Sequence, residues 1–237
     1  MRRDGVSRIL ASHEMDDAAL RREAIRLYRR YQTEIVEALK LCPWAERARE
    51  DGRVREHVLL TATLDAEPVL AAIAALANDD SVDIGLLLFP RLSVGSEEFE
   101  RFVSSLVTRD AERRELGTAP FAMAAFHPGG RADLSDPERT IPFLRRTPDP
   151  TIQLVRYEAL ERVREGFNEG TQFIDVKVLM TLDWTRDDTL PLRERIARSN
   201  HRTIGRLGVD AVERRFAAIF EDRDATYGSG NVRALPR

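Results

Sequence analysis

Asp83-Ile84-Gly85-Leu86-Leu87-Leu88-Phe89 is a run in which only Asp83 carries charge. It is too short for a typical helix and has no polar face, so it reads as a strand covered on both sides. A strand covered on both sides needs a layer of structure above it and another below. Working outward, Val54–Ala62 places Val54, Val58, Leu60 and Ala62 as a half-buried strand. Between the two, Asp65 caps a helix through Ala77, with Pro68 tolerated in its first turn, and Asp79-Asp80 marks the return. On the other side, Ser96 opens a helix carrying Phe99, Phe102, Val103 and Leu106 to about Leu116, and Phe121–Phe126 is a third apolar strand. Strands alternating with helices of this length predict an α/β fold, with a central sheet of at least three strands. A split arrangement with antiparallel neighbours fits the same pattern.

The flanks extend this frame. Residues 1–15 read as a charged, flexible lead-in. A helix is predicted from Asp16 to Leu41, since Tyr28, Tyr31, Ile35 and Leu39 recur at helical steps. Pro43 then begins a short helix that Gly52 stops. From His127 to Pro150 the prolines at 128, 137, 142, 148 and 150 predict a long irregular loop. Thr151 to Arg164 reads as helix, with Ile152, Val155, Ala159 and Val163 on one side. Residues 166–190 read as an insertion in which Phe173–Leu182 alternates like a strand. Extra C-terminal helices are expected over Leu190–Leu207 and Val209–Glu221, and residues 222–237 as a flexible tail. The whole is one domain, 16–221.

Composition excludes several classes. Basic and acidic residues number 37 and 40, for a net charge of −3, and the arginines alternate with acids. That is no field for a nucleic acid. The longest apolar runs, Pro68–Ala77 and Ile84–Pro90, are too short to span a bilayer, so no membrane is expected. Cys42 is the only cysteine, which excludes an internal disulfide and suits a reducing compartment. The segment from Met1 to Asp17 lacks the apolar core of a secretory signal, and the expected location is cytoplasmic. Nothing in the chain sets its oligomeric state.

Chemistry is best placed at Cys42. A helix ending before Pro43 and another beginning there put this thiol at a helix N-terminus, where free N–H groups favour the thiolate. A free cysteine is equally a small apolar core residue. Arg91 and His127 follow the ends of two predicted strands, where open α/β sheets bind ligands. Arg139, Arg145 and Arg146 lie in the proline-rich loop, where at least one is expected to turn inward and clamp a carboxylate or phosphate. Each is also an ordinary solvated charge. No Gly-rich phosphate loop, nucleophile elbow, His-Glu-x-x-His or Cys-x-x-Cys occurs, and the four histidines show no metal-ligand spacing.

The segments Leu41-Cys42-Pro43-Trp44-Ala45, Phe89-Pro90-Arg91, Ala125-Phe126-His127-Pro128, Asp136-Pro137-Glu138 with Arg146 to Pro150, and Arg198-Ser199-Asn200 together resemble the bacterial domain of unknown function 1415. The resemblance runs from about Tyr31 to Leu207. Members usually read Leu-Cys-Pro-Phe in the first segment, His-Pro-Arg in the second and Asn-Arg-Ser-Pro-Tyr-Pro in the fourth. Here Trp44, Phe89 and Arg145-Arg146-Thr147-Pro148-Asp149-Pro150 stand at those places. The resemblance names no activity; it implies that Cys42, Arg91, His127 and Arg146 share a site.

Three functional readings follow. In the first, a small-molecule enzyme uses a Cys42 thiolate with His127 as its base or acid, on an anionic substrate held by Arg91, Arg139, Arg145 or Arg146. In the second, haem is the cofactor, with Cys42 or His127 as axial ligand, because Cys-Pro pairs resemble haem-regulatory motifs. The third is a non-catalytic interaction protein, whose mark is a large exposed apolar patch.

Overall fold

A computed structural model of the chain describes residues 15–42, 44–114, 119–168 and 190–228. The expectations for residues 1–14, 169–189 and 229–237 lie outside these residues. All three predicted strands form: β1 (Val54–Val58), β2 (Ile84–Leu88) and β3 (Phe121–Phe126), with β1 ending before Leu60. A fourth, β4 (Thr151–Arg156), corrects the helix expected from Thr151 to Arg164. The mixed sheet has the order β1-β2-β4-β3, with β1 and β2 parallel and β4 antiparallel to both β2 and β3. The error was one of period. Thr151, Ile152 and Val155 are β-branched and favour a pleat, but burial on both faces removes the polar alternation that would have announced it.

Register makes the faces explicit. Opposite residues share a face, so Glu56, Leu86, Gln153 and Ala124 form one row across the sheet. Val58, Leu88, Thr151 and Phe126 form the next row on that face. Above it lie α1 (Asp17–Tyr31), α5 (Pro137–Leu144), α7 (Leu192–Leu207) and α8 (Val209–Tyr227), through Tyr28, Tyr31, Phe143, Ile204 and Phe216. On the opposite face Leu87, Ile152 and Leu154 meet Val69 and Ile73 of α3 (Ala66–Ala77) and Phe99 and Leu106 of α4 (Ser96–Arg113). Each such side chain contributes about 1.5–3 kcal/mol when fully buried. Asp65 caps α3 as expected, accepting from Glu67, and Asp16 caps α1 by accepting from Ala19.

Three further differences position the site. The first helix does not run regularly to Leu41. It gives way to a π-helical turn at Gln32–Glu37, then to Lys40 at φ 53°. The wider turn lets Gln32 donate to Glu37 five residues on, and Glu37 also receives both nitrogens of an Arg49 fork at 2.9 and 3.0 Å. Arg49 belongs to α2 (Ala45–Glu50), so this buried acid ties the turn before Cys42 to the helix after it. Second, the proline-rich stretch is not wholly irregular. Asp136 caps α5 by accepting from Glu138, and Pro137 takes the first helical position, where a missing N–H costs nothing. Third, α8 continues past Glu221 to Tyr227, so residues 222–227 of the expected tail are helix. Of the expected insertion, residues through 168 complete α6 (Tyr157–Asn168).

Candidate ligand cavity

The α1–α2–α7 layer does not close completely on the sheet. Ala122 and Ala124 put small side chains on the edge strand β3, and a cavity of about 750 Å³ opens above them. Its floor is Ile84, Leu86, Gln153 and the two alanines; Tyr28, Tyr31, Cys42 and Trp44 form one wall, and Ile196 and Asn200 of α7 the other. It passes round the β3 edge to a lip on α4 that includes Glu100 and Ser104.

Cys42 stands in this cavity, where its sulfur receives the backbone N–H groups of Trp44 and Ala45. That much matches the helix-start geometry expected from Pro43. The acidity does not. Burial pushes the thiol up to about 11, outweighing the two N–H groups, and the charge of Glu37 adds to the rise. Cys42 is therefore a protonated thiol at neutral pH. Iodoacetamide should alkylate it about a hundredfold more slowly than an exposed thiol near pH 7, with the rate climbing until about pH 11. A midpoint below about 8.5 would refute this placement. The folded chain holds the thiol proton more tightly than the unfolded chain. The resulting stability is fully present below the unfolded pKa of about 8.5 and is lost as pH climbs through about 11.

His127 lies apart, and it is not among the residues lining the cavity. Its Nδ1 accepts the Gly129 N–H at 3.0 Å, which leaves the proton on Nε2 to donate to the Val94 carbonyl at 3.0 Å. Only 6% of the residue is exposed, and burial lowers its pKa, so the ring is neutral at pH 7. Both nitrogens hold backbone, joining the chain after β3 to the loop after β2.

The four candidate arginines separate just as clearly. Arg91 pairs with Asp17 at 2.7 Å, and Arg139 with Asp133 at 3.2 Å on the surface. Arg146 pairs with Glu213 at 2.6 Å, donates to the Pro128 carbonyl, and lies 5.0–5.7 Å from the rings of Phe143, Phe216 and Phe220. Arg145 alone of the four lines the cavity. Its guanidinium lies 5.2 Å from the Phe126 ring centre and has no hydrogen bond or ion pair among the described residues. Glu100, Glu138 and Arg193 act on it only through space, and Glu138 is itself held by Arg193 at 2.8 Å. The sites thus resolve into Cys42 and Arg145 inside, and Arg91, His127, Arg139 and Arg146 elsewhere.

A family model described as Protein of unknown function (DUF1415) matches residues 23–184. The chain belongs to DUF1415. No curated protein and no solved structure matches it. The matched span of this DUF1415 chain includes Tyr28, Cys42, Arg145 and Gln153, while α7 and α8 lie beyond it. Asn200 nevertheless belongs to the cavity, and its Nδ2 donates to the Leu41 carbonyl at 3.1 Å, steadying the residue before Cys42. Sequence reasoning missed Tyr28 and Gln153 as site residues. Tyr28 read as one more helix-face aromatic, and Gln153 was hidden by the helical assignment of β4; a lone polar residue among Ile152, Leu154 and Val155 was the available signal. No helix among the described residues is long and apolar enough to cross a membrane. No cluster of possible metal ligands occurs among them either.

Proposed function

We propose that this DUF1415 chain binds a small organic anion in the cavity, with the anion on Arg145 and its apolar body against the sheet. The observation that carries this reading is the state of Arg145. A guanidinium set among Phe126, Tyr31 and the α5 backbone loses hydration, and that loss is costly unless an opposite charge replaces the water. Arg91, Arg139 and Arg146 each have a carboxylate; Arg145 has a ring below it and a cavity before it. A bound carboxylate would complete it as a bidentate pair. The test is titration with phenylacetate, followed by calorimetry or amide chemical shifts. Arg145→Met should weaken binding at least about tenfold, the worth of a charge-assisted pair, while Arg139→Met leaves it unchanged. Equal effects from the two substitutions, or no binding to the unaltered chain, would defeat the reading.

The enzymatic form of this proposal makes Cys42 the reacting group, since it lines the same cavity. It starts as a thiol and needs its proton removed, and His127, whose nitrogens hold Gly129 and Val94, takes no part. The haem alternative rests on Cys42 alone for the same reason. A protonated thiol is a poor iron ligand, because coordination by sulfur uses the thiolate. A strong new absorbance band near the ultraviolet edge on adding haem, lost in Cys42→Ala, would move the assignment to haem.

A further inference from the structure

We propose that the ligand is a zwitterion, an α-amino acid with an apolar side chain, whose carboxylate sits on Arg145 while its ammonium group pairs with Glu100. This rests on the anion reading of Arg145 and adds a second charge of opposite sign. Among the described residues, four charged side chains line the cavity: Glu100, Glu138, Arg145 and Arg193. Glu138 and Arg193 neutralise each other at 2.8 Å. One cation and one anion are left. Neither the Arg145 guanidinium nor the Glu100 carboxylate has a hydrogen bond or ion pair among the described residues; of Glu100 only the main-chain carbonyl is engaged, by the Ser104 hydroxyl at 2.9 Å. An exposed carboxylate by itself is an ordinary solvated acid. Its place in one cavity with an unspent guanidinium, where the other two charges cancel, makes it half of a recognition pair.

The fold bounds the gap between the two charges. Glu100 belongs to α4 and Arg145 follows α5, so they are carried on opposite faces of the sheet and meet the cavity where it passes round the β3 edge. They form no ion pair with each other, yet Glu100 acts on Arg145 through space. The gap is therefore wider than a direct contact and narrower than the distance of about 10 Å over which salt screens one charge from another. A zwitterion joined by a charge-assisted hydrogen bond of about 2.8 Å at each end has that reach. An ammonium group gives up hydration on entering a cavity, and only a carboxylate there compensates it. Ala122 and Ala124 leave room beside the two poles for an apolar side chain.

The experiment compares three probes on the full chain by calorimetry near neutral pH, with melting curves confirming that each variant is folded. Phenylglycine is phenylacetate with an ammonium group on the carbon beside the carboxylate, and benzylamine keeps the ammonium group without the carboxylate. The tighter enantiomer of phenylglycine should bind at least about threefold more tightly than phenylacetate, as a partly solvated ion pair adds. In Glu100→Gln the order should reverse, with phenylacetate affinity held or raised. Glu97→Gln removes an exposed acid of the same helix that does not line the cavity, and should leave the order unchanged. Arg145→Met should weaken both carboxylates. Equal binding of phenylglycine and phenylacetate to the unaltered chain, or a preference that survives Glu100→Gln, would overturn the zwitterion and leave the anion reading standing. If benzylamine binds as tightly as phenylglycine, or neither carboxylate binds, the anion reading falls and this inference with it.

Discussion

Arg223→Met should destabilise the chain by about 3–5 kcal/mol in urea denaturation, the cost of leaving a buried charge without its partner. Arg223 of α8 and Asp149, just before β4, are 6% and 3% exposed. The Arg223 Nε donates to Asp149 Oδ1 at 2.8 Å, and the Tyr227 hydroxyl donates to Oδ2 at the same distance. The hydroxyls of Thr147 and Thr151 donate to the Asp149 main-chain carbonyl, which fixes the backbone that carries the carboxylate. Pairing Arg223→Met with Asp149→Asn removes both charges and should recover a large part of the loss, since a buried pair contributes less net stability than one orphaned partner costs. Strictly additive losses would show that the two groups do not depend on each other. Ending the chain at Glu221 should cost at least as much as Arg223→Met. It removes Arg223 and Tyr227, and with them Asp222, which pairs with Arg26 at 2.7 Å and Arg30 at 2.5 Å.

Arg156→Met is expected to cost about 3 kcal/mol, measured in the same way, from the loss of several charge-assisted hydrogen bonds. Arg156 is 6% exposed at the end of β4 and has no carboxylate partner among the described residues. Its Nε donates to the Val82 carbonyl at 2.8 Å, and its Nη2 reaches those of Leu76, Ala77 and Asp79 at 3.2, 3.4 and 2.9 Å. Leu76 and Ala77 end α3, a helix with no basic residue in its last turn. Arg156 thus supplies from a strand the positive charge that a helix C-terminus favours. The planar fork lies 4.9 Å from the Phe121 ring centre, so it is held flat as well as bonded. Arg156→Lys should recover less than half, because an ammonium cannot reach spread carbonyls as a fork does. A loss under about 1 kcal/mol for Arg156→Met would mean that water serves these carbonyls equally well.

Much of the frame was written locally. The apolar run at 84–88 is buried on both faces, as its lack of a polar side requires, and Asp16, Asp65 and Asp136 cap helices through atoms within three residues of themselves. The turn at Cys42 was equally legible, because Pro43 forces a break whatever lies nearby. The same local reading failed at Thr151–Arg156, where helix and strand patterns both fit and contact with β2 and β3 chose the pleat. It failed again at residues 222–227, where Asp222, Arg223 and Tyr227 find distant partners on α1 and before β4.

The sequence alone determined the alternation of strands and helices from β1 to β3, and it put forward Cys42 and the arginines of the 139–146 stretch as candidates for a site. Tertiary structure alone decided which arginine. Arg139, Arg145 and Arg146 are equivalent as letters, and only the positions of Asp133 and Glu213 leave Arg145 unspent. It also decided the state of the thiol. Backbone N–H groups that favour a thiolate are local, but the loss of water that opposes it comes from the surrounding elements packed about Cys42.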